Sequence, residues 1–281
     1  MSTGRHWVAG PIAWDWVCRV PRLPELGGFV QATRYAGRRG GTAANVAHAL
    51  TSAGIDVQLI GYVGDDEPGH AIRKDLSTTG FGEVRQLPGP TSQVLLIVDG
   101  HGERTMIGLT PDRLAEVELP VQRMRPGDTL YLAAWIPSWA QATEAAAATG
   151  IRIVTVPPDP DQPFAAHMII GSQSQIPLSI NESPFTTYTR RNRADLDALI
   201  ITHGAEGATS YTASDEPRHH PAHEVDVIDA TGAGDAFAAG VLLGRHEARS
   251  LTDAIRLGNA WGAAAVGIDG SLPPPRATVP A

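Results

Sequence analysis

The stretch Asp229-Ala-Thr-Gly-Ala-Gly-Asp235 constrains this chain more than any other. Val225 to Ile228 precede it and predict a strand; Ala236 to Leu243 follow as the beginning of a helix. Strand, glycine turn and helix form the building unit of an α/β fold, and glycines at 232 and 234 allow a sharp turn into the helix. Backbone N–H groups at such a helix start point one way and favour an anion, helped by the helix dipole. A carboxylate at Asp235 would repel that anion. The role it suits is accepting a proton from a hydroxyl that attacks a phosphoryl group. The plain alternative is a glycine turn with Asp235 as an ordinary residue of the first helical turn, and the motif alone does not separate the two.

The rest of the chain alternates in the same way. Trp7 to Ala9, Val57 to Ile60, Thr129 to Ala133, Ile151 to Val156 and Leu199 to Thr202 predict short buried strands. Between them, Thr42 to Ala53, Pro68 to Thr79 and Trp139 to Thr149 predict helices, the first stopped by Gly54. This pattern calls for an α/β fold with a mostly parallel central sheet. Two segments break it. Residues 12–38 carry several Gly and Pro with β-like pieces such as Phe29 to Ala32, and Gln93 to Val98 with Arg104 to Ile107 predict a hairpin turning at Asp99-Gly-His-Gly102. The two excursions, about 12–38 and 91–108, are the candidates for a small β appendage on a single domain of residues 1–281.

Two further constellations stand beside the first. Gly40-Gly41-Thr-Ala-Ala-Asn45 opens a helix, with glycines that permit close approach and an Asn offering both donor and acceptor. Thr202-His-Gly204-Ala-Glu-Gly207 follows an apolar strand, at the sheet edge where α/β folds place nucleotides. Each also reads as an ordinary loop: a helix entry with Asn45 facing solvent, and a plain turn into Ala208 to Tyr211.

Composition serves mainly to exclude. A net charge of −8 and no extended basic patch argue against a nucleic-acid partner. Cys18 is the only cysteine, so neither an intrachain disulfide nor a cysteine-rich zinc site can form. The apolar runs are too short to span a membrane, and the N-terminus has no apolar stretch of a secretory signal, so a cytoplasmic location is expected. No Gly-x4-Gly-Lys-Ser/Thr occurs, which removes the P-loop as a phosphate site. His219-His220-Pro-Ala-His223 lacks a recognisable metal-ligand spacing, and Pro221 keeps the three off one helical face.

The three constellations in this order resemble the ribokinase (PfkB) family of carbohydrate and nucleoside kinases, from about Val8 to Pro273. Smaller landmarks agree: Asp15, Gly61-Tyr-Val-Gly-Asp65-Asp66, Gly102-Glu-Arg104-Thr105, Asn259-Ala260 and Gly270-Ser271-Leu-Pro273. The resemblance implies a three-layer α/β/α sandwich with a small β lid, the lid being the two excursions and often pairing two subunits into a homodimer. It implies ATP-dependent phosphorylation of a hydroxyl on a sugar or sugar derivative, or on a nucleoside. A relative keeping the fold without turnover is the rival of another class. Asp235 then resembles the catalytic base, and Gly232, Ala233 and Gly234 the anion hole. Asp15, Gly40, Gly41 and Asn45 resemble acceptor-binding positions. Asn181, Thr202, Gly204, Gly207 and Asn259 resemble the nucleotide pocket. Asp229, Thr231, Gly270 and Ser271 resemble a monovalent-cation loop, with K+ as the ion, while Mg2+ would bridge the ATP phosphates mainly through water.

Three departures from the family pattern bear on substrate and metal. Asn181-Glu-Ser-Pro184 has Pro where the family commonly has Glu, and Thr42 stands where many members have Lys. Ala133-Ala-Trp135 replaces a carboxylate that ribose-specific relatives use. Trp14, Trp16 and Trp135 are candidates for stacking on a flat acceptor, with core or lid packing the favoured reading.

Overall fold

The computed structural model describes residues 4–77, 79–81, 84–176, 183–213 and 216–279. The chain enters through β1 (His6–Ala9), all four residues buried, then forms β2 (Ala13–Arg19) and β3 (Arg34–Gly40). Helix α1 (Thr42–Ser52) leads to β4 (Val57–Ile60) and the short β5 (Tyr62–Val63). Helix α2 (Glu67–Leu76) is capped by Asp66, whose carboxylate accepts from the Gly69 N–H at 3.0 Å. β6 (Arg85–Gln86), β7 (Ser92–Val98), β8 (Arg104–Gly108) and β9 (Thr129–Leu132) follow. The second half runs α3 (Ala140–Ala148), β10 (Arg152–Thr155), β11 (Met168–Ser172), α4 (Pro184–Thr189), β12 (Ala198–Thr202), β13 (Ala208–Tyr211) and β14 (Arg218–His220). It closes with α5 (Ala233–His246) and α6 (Leu251–Val266).

The main sheet has the order β14-β13-β12-β11-β10-β9-β1-β4. From β4 to β12 every pairing is parallel, and β13 and β14 join antiparallel. Both faces of the parallel part are covered, which is why its strands read as near-continuous apolar runs. On one side Val8, Tyr131 and Ile200 pack under α1, α5 and α6. On the other, Trp7, Ala9 and Leu130 pack against Trp139 and Ala146, and Ile169 and Leu199 against Phe185 and Tyr188. The result is the expected α/β/α sandwich. A second sheet, β3-β2-β7-β8, is built from the two excursions, with β2 and β7 parallel at its centre. Among the described residues no helix is long and apolar enough to cross a membrane.

Three local expectations need correction. Phe29 to Ala32 form no strand; Phe29 is exposed, and the strand is the polar Arg34–Gly40. Val225 to Ile228 also form no strand: this stretch is irregular, with Val225, Val227 and Ile228 exposed and the chain held by the Ile228 N–H donating to the Val266 carbonyl at 2.8 Å. The predicted helix from Pro68 to Thr79 starts one residue earlier and ends at Leu76, since Asp66 caps it and Ser77 closes its last turn.

Candidate functional site

In open α/β sheets ligands collect at the carboxyl ends of the strands, and there the predicted residues converge. Beyond β1 the chain turns through Gly10-Pro11 into β2, which carries Asp15. The register pairs Ala13 with Gly40 and Asp15 with Arg38, so β3 returns to the same end before α1 starts. A side chain on Gly40 would overlap the Asp15 carboxylate, and one on Gly41 would meet the Pro11 carbonyl, at a φ of 94° that L-residues avoid. These two glycines let protein approach protein, which holds Asp15 against the first turn of α1.

That turn faces α5. Asn45 is buried, and its Nδ2 donates to Asp235 Oδ2 at 2.7 Å. Asp235 sits in the first turn of α5, whose cap residue is Gly232 in the left-handed conformation (φ 82°, ψ −2°). A Cβ on Gly232 would collide with the Ser271 carbonyl, whereas nothing lies within 4 Å of one on Gly234. The loop is therefore packed from behind at 232 and open in front at 234.

Electrostatics set the two carboxylates apart from ordinary surface acids. Burial pushes Asp235 up to about 7, against the pull of Asn45, Arg104 and Thr42, with Asp15 adding to the rise. Burial likewise raises Asp15 to about 6, opposed by Arg38. A carboxylate held near 7 and aimed past a helix N-terminus is a proton acceptor matched to neutral pH. Thr42, the replacement for a common Lys, contributes by hydrogen bonding to the base itself.

The residues that the resemblance assigns to a cation loop lie behind this turn, with the Ser271 carbonyl against Gly232. Asp229 is fully buried; its Oδ1 accepts from the Thr231 N–H at 2.9 Å, while Oδ2, Thr231 Oγ1 and Ser271 Oγ are buried without hydrogen-bond partners. Arg19 Nη2 and Arg38 Nη2 stand 3.5 Å and 3.7 Å from that Oδ2. Arg104 Nη1 donates to the Ala230 carbonyl at 3.1 Å. Sequence reasoning missed Arg19 and Arg38 altogether and took Arg104 only as a landmark. The signal lies in strand register, which a single sequence does not display.

The expected nucleotide residues form a second group at the end of β12. Thr202 ends that strand, Gly204 opens the turn with nothing packed on it, and Gly207 rests against the His220 carbonyl. Asn259 on α6 uses its Nδ2 on the carbonyls of His220 (3.0 Å) and Pro221 (2.9 Å), so its amide ties α6 to the end of β14. Asn181 lies outside the described residues; Pro184, in the Glu position, is the first residue of α4, where proline suits a helix start. The tryptophans pack: Trp135 meets Phe164 edge-on at 6.1 Å, and Trp16 stacks on Tyr35 at 5.6 Å. His220 bonds Ser210 Oγ at 2.9 Å, and no metal-binding group of His, Cys, Asp or Glu occurs among the described residues.

The family model for pfkB family carbohydrate kinases matches residues 8–276. The chain belongs to that family. The kinase is 32% identical to an ATP-dependent ribose-1-phosphate kinase of Halopiger xanaduensis, over 96% of this chain and 94% of the relative. It is 29% identical to a D-beta-D-heptose 7-phosphate kinase of Bordetella bronchiseptica, over 95% and 92%. Its fold matches that of an Arabidopsis thaliana ribokinase complexed with ribose and ATP, with a TM-score of 0.76 at 19% identity, covering 98% of this chain and 97% of that one. The family assigns the kinase its reaction, ATP-dependent phosphorylation of a sugar-type hydroxyl.

Proposed function

We propose that this cytosolic kinase carries out the reaction with Asp235 as general base and the backbone of residues 232–234 as the anion hole. The observation that carries the reading is a carboxylate raised to about 7, oriented by Asn45, at the start of α5. The acceptor hydroxyl would lie between Asp15 and Asp235, with Asn45 and the Gly40-Gly41 turn shaping its site. ATP would enter along Thr202, Gly204, Gly207 and Asn259, its γ-phosphate toward the open side of Gly234. The hydroxyl oxygen attacks phosphorus, its proton passes to Asp235, and the bond to ADP breaks. Alignment and charge neutralisation account for most of the acceleration in such transfers. The charged surroundings of Asp15, with Arg38 beside it, favour a sugar over a nucleoside.

Magnesium, carried on the ATP phosphates, would neutralise charge there; the chain's own task is to hold the phosphates against the 232–234 turn. For a monovalent cation, Asp229 Oδ2, Thr231 Oγ1 and Ser271 Oγ are the available set, being buried oxygens without hydrogen-bond partners. Two guanidiniums already balance the same carboxylate oxygen, so the loop does not depend on that ion alone for charge compensation.

The four-stranded sheet would act as the lid. Its outer face, read from the register, carries Trp16, Cys18, Tyr35, Leu95, Ile97 and Ile107, and Tyr35 is 61% exposed. An aromatic and aliphatic face of this kind suits a second copy of the chain. Tyr35→Glu is expected to convert a dimer into a monomer in sedimentation at micromolar concentration; a variant with unchanged mass would remove the lid pairing.

An ADP-release assay over free and phosphorylated sugars and nucleosides tests the reaction, and its pH profile tests the base. Only the deprotonated carboxylate accepts a proton, so kcat/KM should rise about tenfold per pH unit below 7 and level off above it. Stability should run the opposite way. Between the unfolded value of 3.8 and about 7 the folded protein holds the Asp235 proton more tightly, so stability declines as pH rises through that window. A flat rate profile from pH 5 to 8 would remove Asp235 from the role of base.

A further inference from the structure

At the edge of the main sheet where the strands begin, opposite the catalytic end, a second group of polar side chains closes around a cavity. His6, Thr129 and Arg152 are the first residues of β1, β9 and β10, and the register pairs His6 with Thr129 and Thr129 with Arg152. Paired residues share a face, here the one that Val8 and Tyr131 occupy beneath α5. The last turn of α5 covers this edge with Leu242, Arg245 and His246, spaced three and four residues apart on one side of the helix. These six residues line a cavity of about 220 Å³. Asp235 is in the first turn of the same helix, about 16 Å away along its axis by the rise of an α-helix.

The cavity is basic, and its donors are under-used. Arg152 Nη2 bonds Asp197 Oδ2 at 2.5 Å, and Arg245 Nη1 donates to the Arg249 carbonyl at 2.6 Å. His6 is 2% exposed, and its Nε2 shares a 3.2 Å hydrogen bond with His246 Nδ1. Arg152 Nε, Arg245 Nε and His6 Nδ1 are buried and have no hydrogen-bond partner among the described residues. The nearby carboxylates are committed elsewhere: Asp197 to Arg152, and Asp128 to the Trp7 indole and the N–H groups of Arg5 and Arg125. Burial and the charge on Arg152 both weaken the hold of Arg245 on its proton, with Asp197 opposing them. Burial and His246 bring His6 down to about 4, against the pull of Asp128.

Two ordinary roles account for part of this group. Cations in the last turn of a helix complement its dipole, and Asp197 gives Arg152 a partner near the surface. Neither role satisfies the three buried nitrogens, and neither offsets two guanidiniums held against one cavity. A bound anion would do both. The oxygens of a phosphate match the planar N–H fork of arginine, and the cavity is smaller than the about 300–1,000 Å³ that drug-sized ligands occupy. We infer that this edge of the sheet is a small-anion site, in which Arg152, Arg245 and His6 hold a phosphate group, either free or on a small monoester. The site is separate from the catalytic turn and does not depend on the kinase reading. An anion there would join β1 and β10 to the last turn of α5, and so brace the helix that carries Asp235.

Calorimetry with orthophosphate tests the site on the full chain, with the catalytic end filled by magnesium and a non-hydrolysable ATP analogue. One saturable phosphate per chain is expected, and Arg152→Gln and Arg245→Gln should each weaken it by about 10–100-fold, the range for hydrogen bonds to a charged group. Glycerol 3-phosphate titrated the same way identifies the form: tighter binding than orthophosphate assigns a monoester, weaker binding the free ion. No saturable binding at millimolar phosphate, acetate bound as tightly as phosphate, or binding unchanged in Arg245→Gln overturns the proposal. Melting temperature separates an anion receptor from a structural arginine. Phosphate should raise the Tm of the wild type and leave that of Arg245→Gln unchanged. An equal rise in both would make Arg245 merely structural and sink the assignment. Should Arg245→Gln fail to fold, Arg152→Gln, whose side chain is 34% exposed, decides by the same comparison.

Discussion

Asp235→Asn is expected to lower kcat by about 10²–10⁴-fold, the range a positioned general base contributes, with much smaller changes in KM. The substitution is nearly isosteric. An amide oxygen at the Oδ2 position still accepts from Asn45 Nδ2, so the 2.7 Å contact that joins α1 to α5 survives. What disappears is the lone pair able to take a proton. Burial of an ionised carboxylate also disappears, so the variant should melt higher than the wild type at pH 8, by a margin that shrinks as the pH falls and closes only near pH 4. Loss of rate together with a gain in thermal stability is difficult to obtain by damaging the fold. Rates within about threefold of wild type at pH 8 would show that the proton leaves by another route.

Much of this site was legible because it is built from backbone, and backbone demands leave marks in sequence. Gly232 and Gly234 sit at a strand-to-helix style junction whose chemistry is a turn and a helix start, and both were visible as glycines. The Gly40–Asn45 and Asp229–Asp235 stretches meet through Asn45 and Asp235, each at the start of a helix, while the Thr202–Gly207 stretch forms a separate group at the carboxyl end of β12. What was hidden depends on neighbours far along the chain. Gly40 is small because the Asp15 carboxylate lies against it, a contact between residues 15 and 40 that no local pattern reveals. Arg34–Gly40 forms a strand despite its polar, glycine-containing sequence, because β2 supplies a partner along its whole length. Val225 to Ile228 looked like a strand by apolarity yet run unpaired, held instead to the end of α6. Arg38 and Arg104 stand more than sixty residues apart and share one face only through the order β3-β2-β7-β8.

The two glycines of the 232–234 turn should respond differently to alanine, and Gly232→Ala should do the greater damage. Gly232 has a φ of 82°, a conformation that costs an L-residue about 1–2 kcal/mol, and its Cβ would also overlap the Ser271 carbonyl. The neighbour is backbone, so relief requires the 232 peptide or the 270–271 loop to move. Movement of the peptide turns the N–H groups away from the phosphoryl group; loss of one such donor typically costs about 10²–10³ in kcat. A fall in melting temperature of several degrees should accompany it, at about 2–4 °C per kcal/mol for a domain near this size. Gly234 faces open space, so Gly234→Ala should fold as well as the wild type. If that opening is where the γ-phosphoryl group sits, the added methyl should still slow the reaction, chiefly by raising KM for ATP. Gly232→Ala with an undiminished kcat would show that the turn does not hold the transferring group. Gly234→Ala with wild-type kinetics would place that group elsewhere along the loop.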